Sequence, residues 1–189
     1  MSSDQLCGIV LAAGAGTRFG GPKALARTTD GRSWLRLAVA ALDSAGCRQI
    51  LVAVGASADA VEQILPPRAS AVWVRGWRTG LAASLRDTLE AAAQTAARAA
   101  LVIPVDTPAM PTTVCRRVLD VVPPGPHALA RAVYAGTPGH PVLIGREHWE
   151  PIRREASGDR GASGYLRSHG SARVECADLW DGADIDESP

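Results

Sequence analysis

Lys23 is the single lysine in a chain of 189 residues that holds twenty lysines and arginines together, so the other nineteen cations are arginine. It closes the stretch LAAGAGTRFGGPK over positions 11–23, in which Leu11, Ala12 and Ala13 lead into Gly14, Ala15, Gly16 and Arg18. Residues 6–13 are apolar and read as a buried strand. The glycines that follow let the chain leave that strand in a loop able to adopt positive φ and bring its backbone amides close to a ligand. Such amides, converging with Arg18 and Lys23, make a phosphate pocket. An ammonium suits that place because it is a compact charge on a flexible stem that can follow a moving phosphate, whereas guanidinium is a planar fork. The alternative is a turn carrying a surface lysine.

Carboxylates supply the second element. Asp106 ends the apolar run 99–105 within IPVDTP, and ligands of open α/β sheets bind at the carboxyl ends of strands, where Gly14 also falls. One or two carboxylate oxygens with phosphate oxygens and water form the octahedral shell that Mg²⁺ demands. An Asx-turn before Pro108 is the alternative reading of Asp106. A further ligand is expected from the acidic tail, from Asp184 or Asp186, against a frayed terminus.

The spacing of the first loop is neither G-x-G-x-x-G nor a P-loop, because Ala24 and not a hydroxyl follows Lys23. It resembles the signature L-A-A-G-x-[GS]-x-R-[FM]-G-x-x-K of the MobA-like nucleotidyltransferases. Further stretches resemble the cytidylyltransferase branch that acts on the molybdenum cofactor. WRTGLAASLR over 77–86 matches a segment used against the nucleotide base, which implies that Gly80 lets the backbone approach the ring and Ser84 bonds its polar edge. The alternative is an ordinary helix start capped by Thr79. GTPGHPV over 136–142 and GDRGA over 158–162 resemble two more, which implies acceptor binding by His140 and Pro141; a structural His140 is the alternative. Asp159 and Arg160 read as a local ion pair or a rim for the second substrate. The D-x-P of Asp106 and Pro108 and the closing Asp184-Ile185-Asp186 resemble the family's metal motifs, although Glu187 stands where threonine is usual. The first loop has Ala-Ala-Gly where guanylyl-transferring relatives usually have Ala-Gly-Gly, and this resemblance implies CTP over GTP. Another branch on the same fold carries the name nicotine blue oxidoreductase and resembles residues 139–149, which implies an NAD(P)H-dependent reductase as the rival function. A non-catalytic nucleotide-binding partner of a molybdoenzyme is a third.

The resemblance implies CTP and a molybdopterin-type acceptor as substrates, Mg²⁺ as cofactor, and contact with a molybdoenzyme or its chaperone. Composition excludes other classes. The net charge is +1 with no basic run, so nucleic acid is not an expected partner. No apolar run approaches the ~20 residues needed to span a bilayer, and no cationic leader is visible, so a cytoplasmic protein is expected. Cys7, Cys47, Cys115 and Cys176 are scattered, without metal-ligand spacing, and read as reduced structural thiols.

These residues need a frame. Helices are expected at 33–46, 59–65, 79–97, 111–121, 147–155 and 162–169. Strands are expected at 6–13, 49–55, 71–74, 99–105, 127–134 and 173–177, with 136–144 a turn leading into one more short strand. Alternation of strand and helix predicts a three-layer α/β/α, doubly wound, mostly parallel sheet in a single domain over 1–189. The resemblance implies a Rossmann-like, nucleotide-diphospho-sugar-transferase-like fold.

Overall fold

A computed structural model of the chain describes residues 6–187. Seven strands form one sheet: β1 (Leu6–Leu11), β2 (Gln49–Val54), β3 (Ala69–Trp73), β4 (Ala99–Pro104), β5 (Leu129–Tyr134), β6 (Thr137–Gly145) and β7 (Ala172–Glu175), in the order β3-β2-β1-β4-β6-β5-β7. β1 pairs in parallel with β2 and β4, β2 with β3, and β5 with β7; β6 runs antiparallel between β4 and β5. The mostly parallel, doubly wound expectation holds.

Both faces are covered, which is why β1 is buried at all six positions and reads as a continuous apolar run without alternation. Val10 packs on the face covered by α1 (Trp34–Ser44), α2 (Ala58–Gln63) and α4 (Thr112–Val121). Ile9 and Leu11 pack on the other, beneath α3 (Leu81–Ala93), α5 (Trp149–Glu155) and α6 (Ser163–Ser168). Helix α1 shows the local logic. The Ser33 side chain accepts from the Arg36 amide at 3.4 Å, and Leu35, Ala38, Val39 and Leu42 form the buried stripe behind that cap. The chain turns back on the two sides of β1 and β4, so the strand order reverses between them. Their carboxyl ends, Leu11 beside Pro104, mark the crevice where an open α/β sheet binds ligands.

Two expectations need correction. Residues 136–144 are not a turn before a short strand: β6 starts at Thr137 and runs nine residues. β5 reaches it through a two-residue hairpin in which Ala135 (φ 48°) and Gly136 (φ 82°) both take positive φ, as a type I′ turn requires. Helix α3 starts at Leu81 and stops at Ala93, four residues short of the expected end at 97. Thr95 Oγ1 bonds back to the Ala92 carbonyl and accepts from the Ala97 amide, replacing helical bonds. The Arg146 guanidinium then donates to the carbonyls of Ala93 (2.6 Å), Thr95 (2.8 Å) and Ala97 (2.7 Å), tying the helix end to the end of β6.

Arg146→Met keeps the stem and removes those three bonds. Urea unfolding should show a loss of about 1.5–3 kcal/mol, the cost of charged hydrogen bonds forfeited at a partly buried site. An unchanged midpoint would mean that Arg146 only decorates the helix end.

Candidate functional site

The loop after β1 is closed upon itself. The Gly21 amide donates to the Gly16 carbonyl at 3.1 Å, and Gly16 has φ +60° with so little room that a Cβ there would stand 1.9 Å from the Gly21 oxygen. Only glycine fits. Gly14 is the converse, since a Cβ there would meet nothing within 4 Å. Leu11, Ala12, Ala13, Gly14, Ala15 and Gly16 line one wall of a cleft of about 440 Å³, and Lys23 and Asp106 line it too. Leu11, Ala12 and Ala13 have buried side chains.

Lys23 opens a short 3₁₀ turn, Lys23–Leu25, anchored by the fully buried Ala24. Its Nζ lies 2.9 Å from Asp106 Oδ2 and 2.9 Å from Asp186 Oδ1. Arg18, highly exposed and outside the cleft lining, reaches the other oxygen of Asp186 at 3.3 Å. Burial opposes the charge on Lys23, but hydrogen bonds to Asp186 and Asp106 outweigh it and raise its pKa above the ordinary 10.5. The hydrogen bond from Lys23 holds the Asp186 carboxyl below its ordinary 3.8. The signs set the window. The raised Lys23 contributes stability that disappears only as pH climbs through its folded pKa; the depressed Asp186 contributes stability that disappears as pH falls through its own. The ionic contact is therefore intact between those limits.

Asp184 completes the group. One carboxylate oxygen each from Asp106, Asp184 and Asp186 lie within 4.8 Å of one another. Three hard, anionic oxygen donors at that spacing suit a divalent cation such as magnesium or manganese. Asp184 has no cationic side chain in ion-pair contact among the described residues.

The tail carrying two of these carboxylates is fixed by three contacts. The Ile185 amide donates to the Asp106 carbonyl at 3.0 Å, and Leu179, Trp180 and Ile185 pack on the core. Gly182 (φ +80°) presses on the Tyr134 ring, where a Cβ would stand 2.3 Å from Cδ2. Tyr134 also meets Trp180 edge-on, with centroids 5.3 Å apart, and donates its hydroxyl to the His140 carbonyl at 2.6 Å. Sequence reasoning missed Tyr134 and Trp180, because nothing local ties a strand-end tyrosine to a tail some fifty residues on.

Opposite the loop, Trp77, Gly80, Leu81 and Ser84 line the cleft, with Ser84 buried. No side chain caps α3; Thr79 Oγ1 donates instead to the Gly76 carbonyl, so the capping alternative for Thr79 is not realised. Gly80 has φ +110° and a Cβ there would lie 2.6 Å from Asp159 Oδ1. Asp159 thus joins this same cleft and forms no ion pair with Arg160 among the described residues, which corrects the local-pair reading. Its signal was present in GDRGA, but not its partner Gly80. Pro141 is buried in β6, and neither it nor His140 lines the cleft. Burial pushes the His140 imidazole down to about 4, Arg131 adds to the shift, and Asp184 opposes it. A neutral ring offers no charge to a phosphate.

Gly182→Ala should push the tail off Tyr134 and weaken Mn²⁺ binding about 10–100-fold, as loss of support for ligands does. Calorimetric titration with MnCl₂ measures it. Wild-type affinity in this variant would mean that the Tyr134 contact does not seat Asp184 and Asp186.

Comparison with known proteins places the chain among relatives of the same fold and family. The chain is 33% identical over 190 residues to a protein named nicotine blue oxidoreductase from Paenarthrobacter nicotinovorans, covering 95% of this chain and 91% of that one. The crystal structure of Rv0371c from Mycobacterium tuberculosis H37Rv superposes with a TM-score of 0.77 at 28% identity, over 98% of this chain and 95% of that one. Rv0371C in complex with manganese gives 0.74 at 26% identity, over 98% and 94%. The model of the MobA-like NTP transferase domain matches residues 8–174, nearly the whole sheet with its glycine loop and Asp106, and the chain belongs to that family.

Proposed function

We propose that the chain transfers CMP from CTP to the terminal phosphate of a molybdopterin-type acceptor with release of pyrophosphate. The observation that carries the reading is the meeting of the glycine loop, the Lys23 ammonium and Asp106 on one cleft, with Asp184 and Asp186 gathered beside Asp106. In the reaction an acceptor phosphate oxygen bonds to the α-phosphorus of CTP while the bond to the bridging β-oxygen breaks. Negative charge grows on the α-phosphate oxygens and on the departing pyrophosphate. Phosphoryl chemistry of this kind needs positioning and charge neutralisation more than a protein nucleophile.

The chain's residues divide that work. Amides of residues 14–16 in the closed loop present donors to the β- and γ-phosphates, and the bare Cα of Gly14 leaves room for close approach. Lys23 supplies a mobile positive charge for the α-phosphate, with Arg18 at the rim beside Asp186. Gly80 and Ser84 face the base, and Trp77 closes that end. Trp77 packs so tightly that a Cβ at Gly55 would lie 2.6 Å from its Cγ and 2.7 Å from the Ala13 carbonyl oxygen. Asp106, Asp184 and Asp186 would hold a magnesium ion, which supplies charge neutralisation on the phosphates when bound. His140 and Pro141, the residues expected to bind the acceptor, lie outside the cleft lining, and the neutral His140 ring has no charge to offer it.

A second reading, an NAD(P)H-dependent reductase, is favoured by the name of the 33% identical relative. Against it, the carboxylate cluster and its lysine have no task in hydride transfer. No carboxylate stands at the end of β2 to hold a ribose in the Rossmann manner; Asp43, about twenty residues after the loop's last glycines, lies in α1 instead.

Lys23→Met should lower nucleotidyl transfer by at least ~10²-fold, the scale of one transition-state electrostatic contact, with the fold retained by circular dichroism. Near-normal turnover would remove Lys23 from the chemistry. Asp106→Asn should abolish the magnesium dependence of CTP binding; an unaltered Mg²⁺ response would leave it a turn residue. In thermal shift, CTP should raise the melting temperature most, GTP less and NADPH least, because stabilisation follows ln(1 + [L]/Kd). Tight NADPH binding with dye reduction and no pyrophosphate release would establish the reductase instead.

A further inference from the structure

A second basic cavity lies at the β5–β7 edge of the sheet. It encloses about 450 Å³ and shares no lining residue with the cleft. Arg131, Arg167 and Arg173 line it with Ser163, Ser171 and Leu166, and no acidic side chain does.

Two of these cations are placed where a sheet does not tolerate them without reason. Arg131 of β5 and Arg173 of β7 are direct register partners on adjacent parallel strands, so their side chains leave the same face side by side. Like charges so placed destabilise a sheet. No carboxylate relieves them. None of the three arginines forms an ion pair among the described residues. Glu175, two residues after Arg173 on the same face, is committed elsewhere. It accepts from the amides of Ala135 (3.0 Å), Gly136 (3.3 Å), Cys176 (3.1 Å) and Ala177 (3.0 Å).

Arg131 is the more constrained. Its Nε is buried without a hydrogen-bond partner, and its only bonded nitrogen donates weakly to the Gly139 carbonyl at 3.4 Å. Burial, then Arg173, lowers its pKa, the mark of a charge without a counter-charge. Arg173 donates one terminal nitrogen, Nη2, to the Gly136 carbonyl, and its other guanidinium nitrogens have no partner among the described residues. Buried donors left unpaired cost free energy, and a sequence keeps such conflicts where a ligand resolves them.

We propose that Arg131, Arg167 and Arg173, with the hydroxyls of Ser163 and Ser171, form a second anion site that takes a phosphate monoester. Adjacent guanidinium forks match the oxygens of a tetrahedral dianion, and serine hydroxyls complete its hydrogen bonds. The volume exceeds what a bare phosphate needs, and Leu166 with Pro138 gives the organic part of an ester an apolar wall. The site is independent of the transfer reaction proposed above.

The test is calorimetric titration in an amine buffer free of phosphate and sulfate, with glycerol 3-phosphate, inorganic phosphate and glycerol as probes. Arg173 and Arg167 are exposed, so Arg173→Gln and Arg167→Gln leave the core untouched. Lys23→Met, which removes the cation of the cleft, is the control. Glycerol 3-phosphate should bind wild type and Lys23→Met alike, and Arg173→Gln should weaken it about tenfold or more, as loss of one charge-assisted pair does. Inorganic phosphate should bind more weakly, and glycerol not at all. Binding lost in Lys23→Met but unchanged in Arg173→Gln and Arg167→Gln would overturn the site. Equal affinity for inorganic phosphate and the ester would overturn the choice of ligand.

Discussion

One ammonium holds together carboxylates that the chain brings from far apart. Asp106 lies 83 residues from Lys23 and Asp186 lies 163, yet both stand 2.9 Å from the same nitrogen. Carboxylates gathered within 4.8 Å repel one another, and a fold that gathers them needs a cation in their midst. Lys23 is that cation. Its stem leaves only a small part of it in solvent, so the charges interact through a medium less screening than water. The glycine loop, the carboxyl end of β4 and the tail are thereby locked to a common point, and each must be well placed for the others to be.

The second constraint is geometric. A purely parallel sheet would leave β4 as the neighbour of another parallel strand and would carry the chain away from the crevice. Inserting β6 antiparallel brings residues 137–140 back toward it. The hairpin from β5 sets Tyr134 beside Gly139, and the same ring receives Gly182 of the tail. Tyr134 thus joins the antiparallel half of the sheet to the carboxylate cluster, through a Cδ2–Cε2 ring edge against which both Gly139 and Gly182 lie too close for a Cβ. Its hydroxyl, bonded to the His140 carbonyl, fixes the ring's rotation.

Much of this was legible in the sequence, because the parts that carry chemistry are local. LAAGAGTRFGGPK announces a strand leading into a glycine loop, and IPVDTP a buried strand ending on a carboxylate. The continuous apolar runs of β1 and β4 mark strands buried on both faces. What was not legible depends on partners remote in the chain. The direction of β6 follows from which strand it joins, and its Ala-Gly turn lacks the Asn-Gly signal of a tight hairpin. The end of α3 rests on the local Thr95 and also on Arg146, more than fifty residues away from Ala93. GDRGA offers Asp159 either its neighbour Arg160 or a substrate rim, and only the bare Cα of Gly80, remote in sequence, admits it to the cleft. The acidic tail showed its residue types but not its anchorage, which rests on Tyr134 and on the backbone of Asp106 itself.

The solitary lysine has a spectroscopic consequence. Selective enrichment with lysine carrying ¹⁵N at Nζ would place a single labelled side-chain nitrogen in the protein, and that nitrogen touches both Asp106 and Asp186. Its resonance carries no overlap from other lysines and needs no assignment by mutation. Chemical shift and proton exchange at that one atom report the charge, hydration and partners of the ammonium as the cleft fills and empties. The restriction of this chain to one lysine among nineteen arginines has made its own site observable from within.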